Sequence, residues 1–470
     1  MDGRPRDDTL DLLDLVAAEA RRYFPALDDD VVRSDDADDA ARSLVMPLPE
    51  EGIGSVQAVA QLIETARDAH IRSAGPRFFH WVFGGATPAA LGADWLTSLL
   101  DQNAGGWDAS PLATQLERTS IDWLKDLFAL PAEWGGIITT GATMANFTAL
   151  AAARQWAGEG DVYRDGLRRP IPVFSSGFIH VSARKALGML GLGKDAVRIC
   201  AADAAGHLDL AALERGLAET DGPAIVVANC GEVNAGHFDP IDEMVDVARE
   251  HGAWVHVDGA FGLFARLSPR FEHLAAGVER ADSVIADGHK WLNVPFDCGF
   301  AFVRDEPLLA AAFSVAEAAY LPDIREDRPT YAYLGPEMSR RARSLPVWAT
   351  LAAYGRDGHR AIVEANIAHA ERVAALVEVS NEFELLADAP LNVVCFRYRP
   401  EGVPEDQLDD LNLRLGEDVI EDGRIYVGTT RWEGRVGFRP AFCNWRTRDE
   451  DVDLLLTVLS ELGARQTAQV

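Results

Sequence analysis

The stretch AWVHVDGAFGLFARLSPRFEHLAAGVERADSVIADGHKWLNVPFDCGFAFVR, residues 253–304, decides the fold. It reads as strand, linker helix, strand, short turn and strand. A first apolar run, Trp254 to Val257, ends at Asp258. A second, Ser283 to Ala286, ends in Asp287-Gly288-His289-Lys290, and a third runs from Gly299 to Val303. Short apolar runs bounded by turn residues are a strand pattern. In α/β sheets, ligands sit beyond the carboxyl ends of the strands. Asp258 and Lys290 each follow a strand end, so both are expected to project into one crevice.

The chain holds four lysines. Lys125 and Lys185 lie in amphipathic helical runs, WLKDLF and HVSARKALGML, and Lys194 follows a glycine in a polar turn. Lys290 alone follows a buried-strand pattern and a glycine turn. A lysine able to become a Schiff base, facing an aspartate able to hold a pyridinium nitrogen protonated, is what pyridoxal phosphate (PLP) chemistry requires. The local pattern is equally that of a surface lysine passing over Trp291.

Upstream the alternation is regular. Strands are expected at 171–174, 196–200 and 224–230, and helices at 180–190, 209–218 and 240–251. This βαβ rhythm means a mostly parallel sheet flanked by helices. A strand from Gly136 to Thr140 leads through Gly141-Ala142-Thr143 into the helix MANFTALAAARQWA. Strand, small-residue turn and helix together can cradle a phosphate, because the first helix N–H groups and the dipole face the anion. Packing alone also makes such turns glycine-rich. The absence of a Walker-type lysine argues against a nucleoside triphosphate. His180 opens a helix directly after VFSSGF. It reads as a cap or packing group, or as an imidazole lying flat on a cofactor ring.

Residues 8–24 and 55–70 read as amphipathic helices joined by an acidic stretch at 28–42, with Ser55 as the expected N-cap. Such an arm needs another surface for its apolar stripe, and a dimer partner is the expected one. The aromatic cluster Phe78, Phe79, Trp81 and Phe83 ends at Gly84-Gly85, where another backbone or a ligand can approach closely. A helix runs through 88–101, and Ser110-Pro111 opens a longer one. Residues 317–337 break the rhythm and read as a lid. Helices follow at 338–356 and 358–378. A smaller α/β unit then has strand 391–398, helix 405–419, strands 424–428 and 435–438, and helix 448–463.

Seventy-four acidic against 44 basic residues give a net charge of −30, which disfavours nucleic acid and an acidic membrane surface as partners. The N-terminus lacks the apolar core of a signal peptide, and no stretch has the length of a transmembrane helix. The five cysteines form no CxxC or metal-ligand cluster, so buried reduced thiols in a cytoplasmic protein are expected and no metal is.

Taken together, FFHWVFGG, WDASPLATQLE, TTGATMANFTALAAAR, FSSGFIHVSARKA, GEVNAGHFDPI, WVHVDGAFG, ADSVIADGHKW, the RRARSL run and FCNWRTRDEDVD resemble the PLP-dependent group II decarboxylases, the family of aromatic-L-amino-acid and glutamate decarboxylases. The motifs occur in the family's order from about Arg77 to the end. The resemblance implies an α/β fold of the aspartate-aminotransferase type, fold type I. A large, mostly parallel seven-stranded domain (77–345) would carry an N-terminal helical arm (1–76) and a small C-terminal domain (346–470). It also implies a homodimer with the active site at the interface.

By that resemblance Lys290 matches the Schiff-base lysine, Asp258 the carboxylate paired with the pyridine nitrogen, Ala260 the small residue under the ring and His180 the stacking imidazole. Ala142 and Thr143 match the phosphate-binding turn, and His289 the histidine near substrate and cofactor. Counting back from RRARSL, Tyr331 matches the loop tyrosine that returns a proton after carbon dioxide leaves, with Tyr333 close by. Asp287 stands where several members have a phosphate-contacting Asn, so its carboxylate would have to turn away or be protonated. Glu232-Val233 replaces a Thr-Thr pair, and His80 and Trp81 also depart from the aromatic-substrate members. The expected activity is decarboxylation of an L-amino acid, aromatic or bulky from Trp81 and Phe83, to the amine. A glutamate-type acidic substrate and an aldehyde-forming synthase are the alternatives.

Overall fold

The structure, a computed structural model, describes residues 7–313 and 327–468. Seven strands form its main sheet: β1 Gly135–Thr139, β2 Val173–Ser175, β3 Val197–Ile199, β4 Ile225–Asn229, β5 Trp254–Asp258, β6 Ser283–Asp287 and β7 Gly299–Val303. Their order is β1-β7-β6-β5-β4-β2-β3. Strand β7 is antiparallel to both of its neighbours, and every other pairing is parallel. A parallel sheet covered by helices on both faces needs near-continuous apolar strands. Every residue of β4, β5, β6 and β7 is buried. One apolar core lies on each face, the larger built around Val226, Val255, Val284 and Phe302, the other around Ile225, Val227, Ile285 and the helix Ala142–Ala157.

Register places the site. Asn229 lies opposite Asp258, and Asp258 opposite Ile285, so Asp287 extends two residues beyond Asp258 at the same edge. The turn to Lys290 continues from there.

The connection from β5 to β6 is not the expected helix. It consists of three short 3-10 segments, Gly262–Leu267, Glu272–Ala275 and Val278–Arg280. Glycines force this path: a Cβ at Gly262 would lie 2.1 Å from the Cys230 carbonyl oxygen, and Gly277 has φ +87°.

The second sheet is antiparallel, with β8 Phe383–Leu385, β9 Phe396–Tyr398, β10 Thr429–Trp432 and β11 Arg435–Phe438 in the order β10-β11-β9-β8. Glu433 and Gly434 both have positive φ, the type I′ geometry that a two-residue hairpin requires. Helices Glu405–Asp422 and Asp449–Thr467 cover this sheet.

The sequence reading placed a strand at 424–428, but that segment pairs with the N-terminal aromatic stretch instead. Tyr426 donates its N–H to the Arg77 carbonyl, and Phe79 donates to the Tyr426 carbonyl. The strand expected at 391–398 is confined to its last three residues. The helices expected at 338–356 and 358–378 form one run, Ser344–Glu378, broken at Gly355 with φ +59°. Residues 338–343 are loop, and Gly54 rather than Ser55 is the N-cap of helix Ser55–Ala69. Of the expected lid at 317–337, residues 317–326 lie outside the described residues.

Candidate active site

A cavity of about 260 Å³ opens at the carboxyl edge of the sheet, lined by Thr140–Met144, His180, Ser182, Asp287, His289 and Lys290. The turn after β1 forms one wall. Gly141, at φ +146°, is the N-cap of helix Ala142–Ala157 and makes no side-chain cap bond. The first intrahelical bond runs from the Ala145 N–H to the Gly141 carbonyl at 2.9 Å. The N–H groups of Ala142, Thr143 and Met144 precede it and point out of the helix toward any anion. Gly141 is required: a Cβ there would sit 3.1 Å from His289 Cε1, and a Cβ on Gly299 would meet the Gly141 backbone at 2.6 Å.

Lys290 enters from the opposite side, its Nζ 3.2 Å from Asp287 Oδ2. Asp287 is not turned away. It lies almost wholly buried, and its Oδ1 has no hydrogen-bond partner among the described residues. The diglycine after the aromatic cluster lets the lysine strand pass: Gly84 donates its N–H to the His289 carbonyl at 3.1 Å.

Asp258 ends β5 with its carboxylate accepting from the Ala260 N–H at 3.2 Å and from Asn146 Nδ2 at 2.9 Å. His180 caps the helix Val181–Met189, its Nδ1 accepting from the Ser182 N–H at 3.2 Å, and its ring lines the cavity. Capping and facing the cavity are therefore both true of it. Burial holds its pKa below the usual imidazole range, and the same cause lowers His289. The His289 ring packs against Phe296 at a tilt of 31°, with centroids 4.4 Å apart.

Lys290, Asp287, His289, His180, Ala142 and Thr143 thus share one cavity, with Asp258 and Ala260 directly behind it. Tyr331 is not brought there. It is buried beside Gly135 and Gly136 at the amino end of β1, its ring 5.6 Å from the Arg340 guanidinium carbon. Tyr331 is not among the residues that line the Lys290 cavity. Burial pushes the Tyr331 phenol well up. With Tyr333 it lines a separate cavity of about 670 Å³.

Trp81 is 56% exposed, whereas Phe83 packs on Phe296 at 4.8 Å and so reaches the site through it. Glu232 caps its own turn, accepting from the N–H groups of Asn234 and Ala235 at 2.7 and 2.8 Å. The sequence reading did not single out Asn146 or Arg439. Arg439 donates Nη2 to the Trp81 carbonyl at 2.9 Å, while its Nε is buried without a partner among the described residues. Burial pulls its pKa down to about 10, and its charge reaches both His80 and His180. A polar residue inside an otherwise apolar run was the available signal for both.

An amine at a strand end, a carboxylate across from it and the first N–H groups of a helix fit the carbonyl, ring nitrogen and phosphate of PLP. With this sheet order they define a PLP-dependent enzyme of fold type I. The chain belongs to the pyridoxal-dependent decarboxylase family, whose conserved-domain model matches residues 54–399. It is 30% identical to the aromatic-L-amino-acid decarboxylase of Bacillus atrophaeus over 91% of this chain and 89% of that one. It is 32% identical to the L-2,4-diaminobutyrate decarboxylase of Rhizobium meliloti over 88% and 83% of the two chains. Among solved structures, Oryza sativa TDC with PLP and tryptamine superposes with a TM-score of 0.89 at 25% identity, covering 99% of both chains. The protein is a PLP-dependent amino-acid decarboxylase.

Proposed function

We propose that the substrate is an L-amino acid with an aromatic or bulky side chain and that the product is the amine. The observation that carries this reading is the aromatic wall that continues outward from His289. Phe296 leads to Phe83, which stacks on Phe78 at 5.5 Å, and Phe78 on Tyr426 at 5.2 Å. Apolar walls select side chains by the area they bury.

When bound, PLP supplies an electron sink for the pair released as the bond to the carboxylate carbon breaks. The chain's own residues do the rest. Lys290 Nζ is the amine that would hold the cofactor through its carbonyl. Asp258 would hold a proton on the ring nitrogen by its charge. His180 would cover one face of the ring, Ala260 would leave room on the other, and the helix opening at Ala142 and Thr143 would take the phosphate. His289 stands between Lys290 and the aromatic wall. The buried Arg439, whose Nε has no partner among the described residues, is suited to the substrate's carboxylate before it leaves.

Tyr331 returns a proton to the product carbon in this reading. Its place at the amino end of β1 requires either that its segment move or that a second copy supply it. A homodimer is favoured by the apolar face of the arm, where Leu10, Leu13 and Val16 are 76%, 59% and 50% exposed. Five buried free cysteines suit a cytoplasmic location. No described helix is long and apolar enough to cross a membrane.

The test is a mass-spectrometric screen of amino acids with PLP added, scoring amine, aldehyde and carbon dioxide. Amines from aromatic substrates are expected. Turnover of glutamate or diaminobutyrate alone would replace the substrate assignment, and hydrogen peroxide with aldehyde would replace the product.

A further inference from the structure

Asn146 lies on the inward face of the helix that opens at the phosphate turn, with no exposed surface. Its Nδ2 is 2.9 Å from Asp258 Oδ2 and 3.3 Å from Ser182 Oγ. Its Oδ1 is 2.8 Å from His256 Nε2. The other ring nitrogen, His256 Nδ1, is 2.9 Å from Ser283 Oγ, and Ser283 Oγ is 3.0 Å from Trp254 Nε1. Five side chains from β5, β6 and one helix therefore form a continuous hydrogen-bonded line, buried throughout.

The direction of the line is set at its carboxylate end and is compatible with the donor at the other. An indole N–H can only donate, and a carboxylate can only accept. Ser283 Oγ accepts from Trp254 and could accept a second time, so the order is read from Asp258: its carboxylate takes the Asn146 NH₂, which turns Asn146 Oδ1 to His256 Nε2 and leaves His256 Nδ1 to accept the Ser283 hydroxyl hydrogen. His256 then carries its own hydrogen on Nε2 and donates it to Asn146 Oδ1. A flipped amide would aim a carbonyl oxygen at the carboxylate and an NH₂ at an N–H donor. The same NH₂ reaches Ser182, whose hydroxyl lies 2.7 Å from His180 Nδ1.

We infer that Asn146 is a positioning residue for the reaction, one amide orienting both Asp258 and His180, its own orientation matched by the line Trp254–Ser283–His256. This deepens the reading above and rests on the assignment of Asp258 to the ring nitrogen. The line delivers hydrogen-bond dipole rather than charge. Burial lowers the His256 pKa to about 4, so the imidazole stays neutral at working pH and has one hydrogen to give. A carboxylate steadied by an oriented neutral donor keeps its charge for the cofactor. A cationic neighbour would compete for it.

The experiment uses the full chain labelled with nitrogen-15 histidine, without and with PLP. In the unmodified protein, His256 is expected as the neutral Nε2–H tautomer from about pH 6 to about pH 8. A proton on Nδ1 would reverse the line and overturn the proposal, whatever any variant does. Asn146→Leu, matched in size but unable to hydrogen-bond, is expected to bind PLP about 10- to 100-fold more weakly and to shift the His180 nitrogen resonances. Ser283→Ala is expected to weaken PLP binding by no more than about threefold. A folded Asn146→Leu protein with unchanged PLP affinity and unchanged His180 resonances would refute the role. If that variant does not fold, the tautomer in the unmodified protein decides. Failure of the underlying cofactor assignment shows separately, as a borohydride-reducible PLP adduct that persists in Lys290→Ala.

Discussion

Gly84 and Lys290 are packed backbone against backbone. A Cβ built on Gly84 would stand 1.6 Å from the Lys290 carbonyl oxygen and 2.8 Å from its carbonyl carbon. The aromatic stretch before β1 and the turn after β6 are therefore one unit, and the position of the Lys290 amine depends on a glycine about two hundred residues upstream. Gly84→Ala is expected to displace the turn, lower stability by about 1–3 kcal/mol and weaken PLP binding more than tenfold. Urea unfolding and cofactor titration measure the two effects. Unchanged values in both would mean the turn tolerates the shift.

Asp287 places a carboxylate oxygen with no hydrogen-bond partner among the described residues beside the helix N-terminus proposed for the phosphate. Its other oxygen is held by Lys290. A negative side chain there opposes a dianionic ligand, so Asp287→Asn is expected to tighten PLP binding by about tenfold. Equal or weaker binding in that variant would show that the ion pair with Lys290 contributes more than the repulsion costs.

Tyr331→Phe is expected to leave PLP binding unaltered, slow amine formation by more than tenfold and increase the aldehyde share of the product. Chromatography of the products with a peroxide assay reads this directly. An unaltered amine yield would remove Tyr331 from the reaction and leave its buried contact with Arg340 as its role.

Stability is expected to fall as pH drops from about 6.5 to about 4. His80, His256 and His359 are each lowered by burial to about 4 in the folded chain, against about 6.5 unfolded. A depressed histidine binds fewer protons folded than unfolded. Its contribution is thus complete above the unfolded value and lost as pH falls toward the folded one. Asp239 works the other way, its carboxyl raised to about 6 by burial, so folding gains from its protonation in part of the same window. Three groups outweigh one, and the His256 share is on the order of 3 kcal/mol. Unfolding midpoints across this range check the slope, and His256→Gln should flatten it. A midpoint that rises on acidification would contradict this balance.

Some of this was legible from local pattern. The apolar runs ending at Asp258 and Asp287, and the turn Gly141-Ala142-Thr143 before a helix, are short-range signals. Strand periodicity and turn chemistry act over a few residues. The segment after Asp258 was misread because a run of apolar residues at helical spacing does not reveal that Gly262 must pass under Cys230. Residues 424–428 were misread for a related reason. Their apolar, β-prone pattern marks a strand but not its partner, which lies in the stretch around Phe78.

By itself the sequence determined the alternation of strands and helices, the residues that end each strand and the chemical types available at that edge. Those follow from side-chain periodicity and backbone preference, which are properties of neighbouring residues. Only the tertiary structure decided which of these residues meet. It aimed Asp287 into the cavity, set Tyr331 at the far end of β1 and joined Trp254 to Asp258 through Asn146. Strand order and sheet register bring distant residues within hydrogen-bond reach, and no local pattern encodes them.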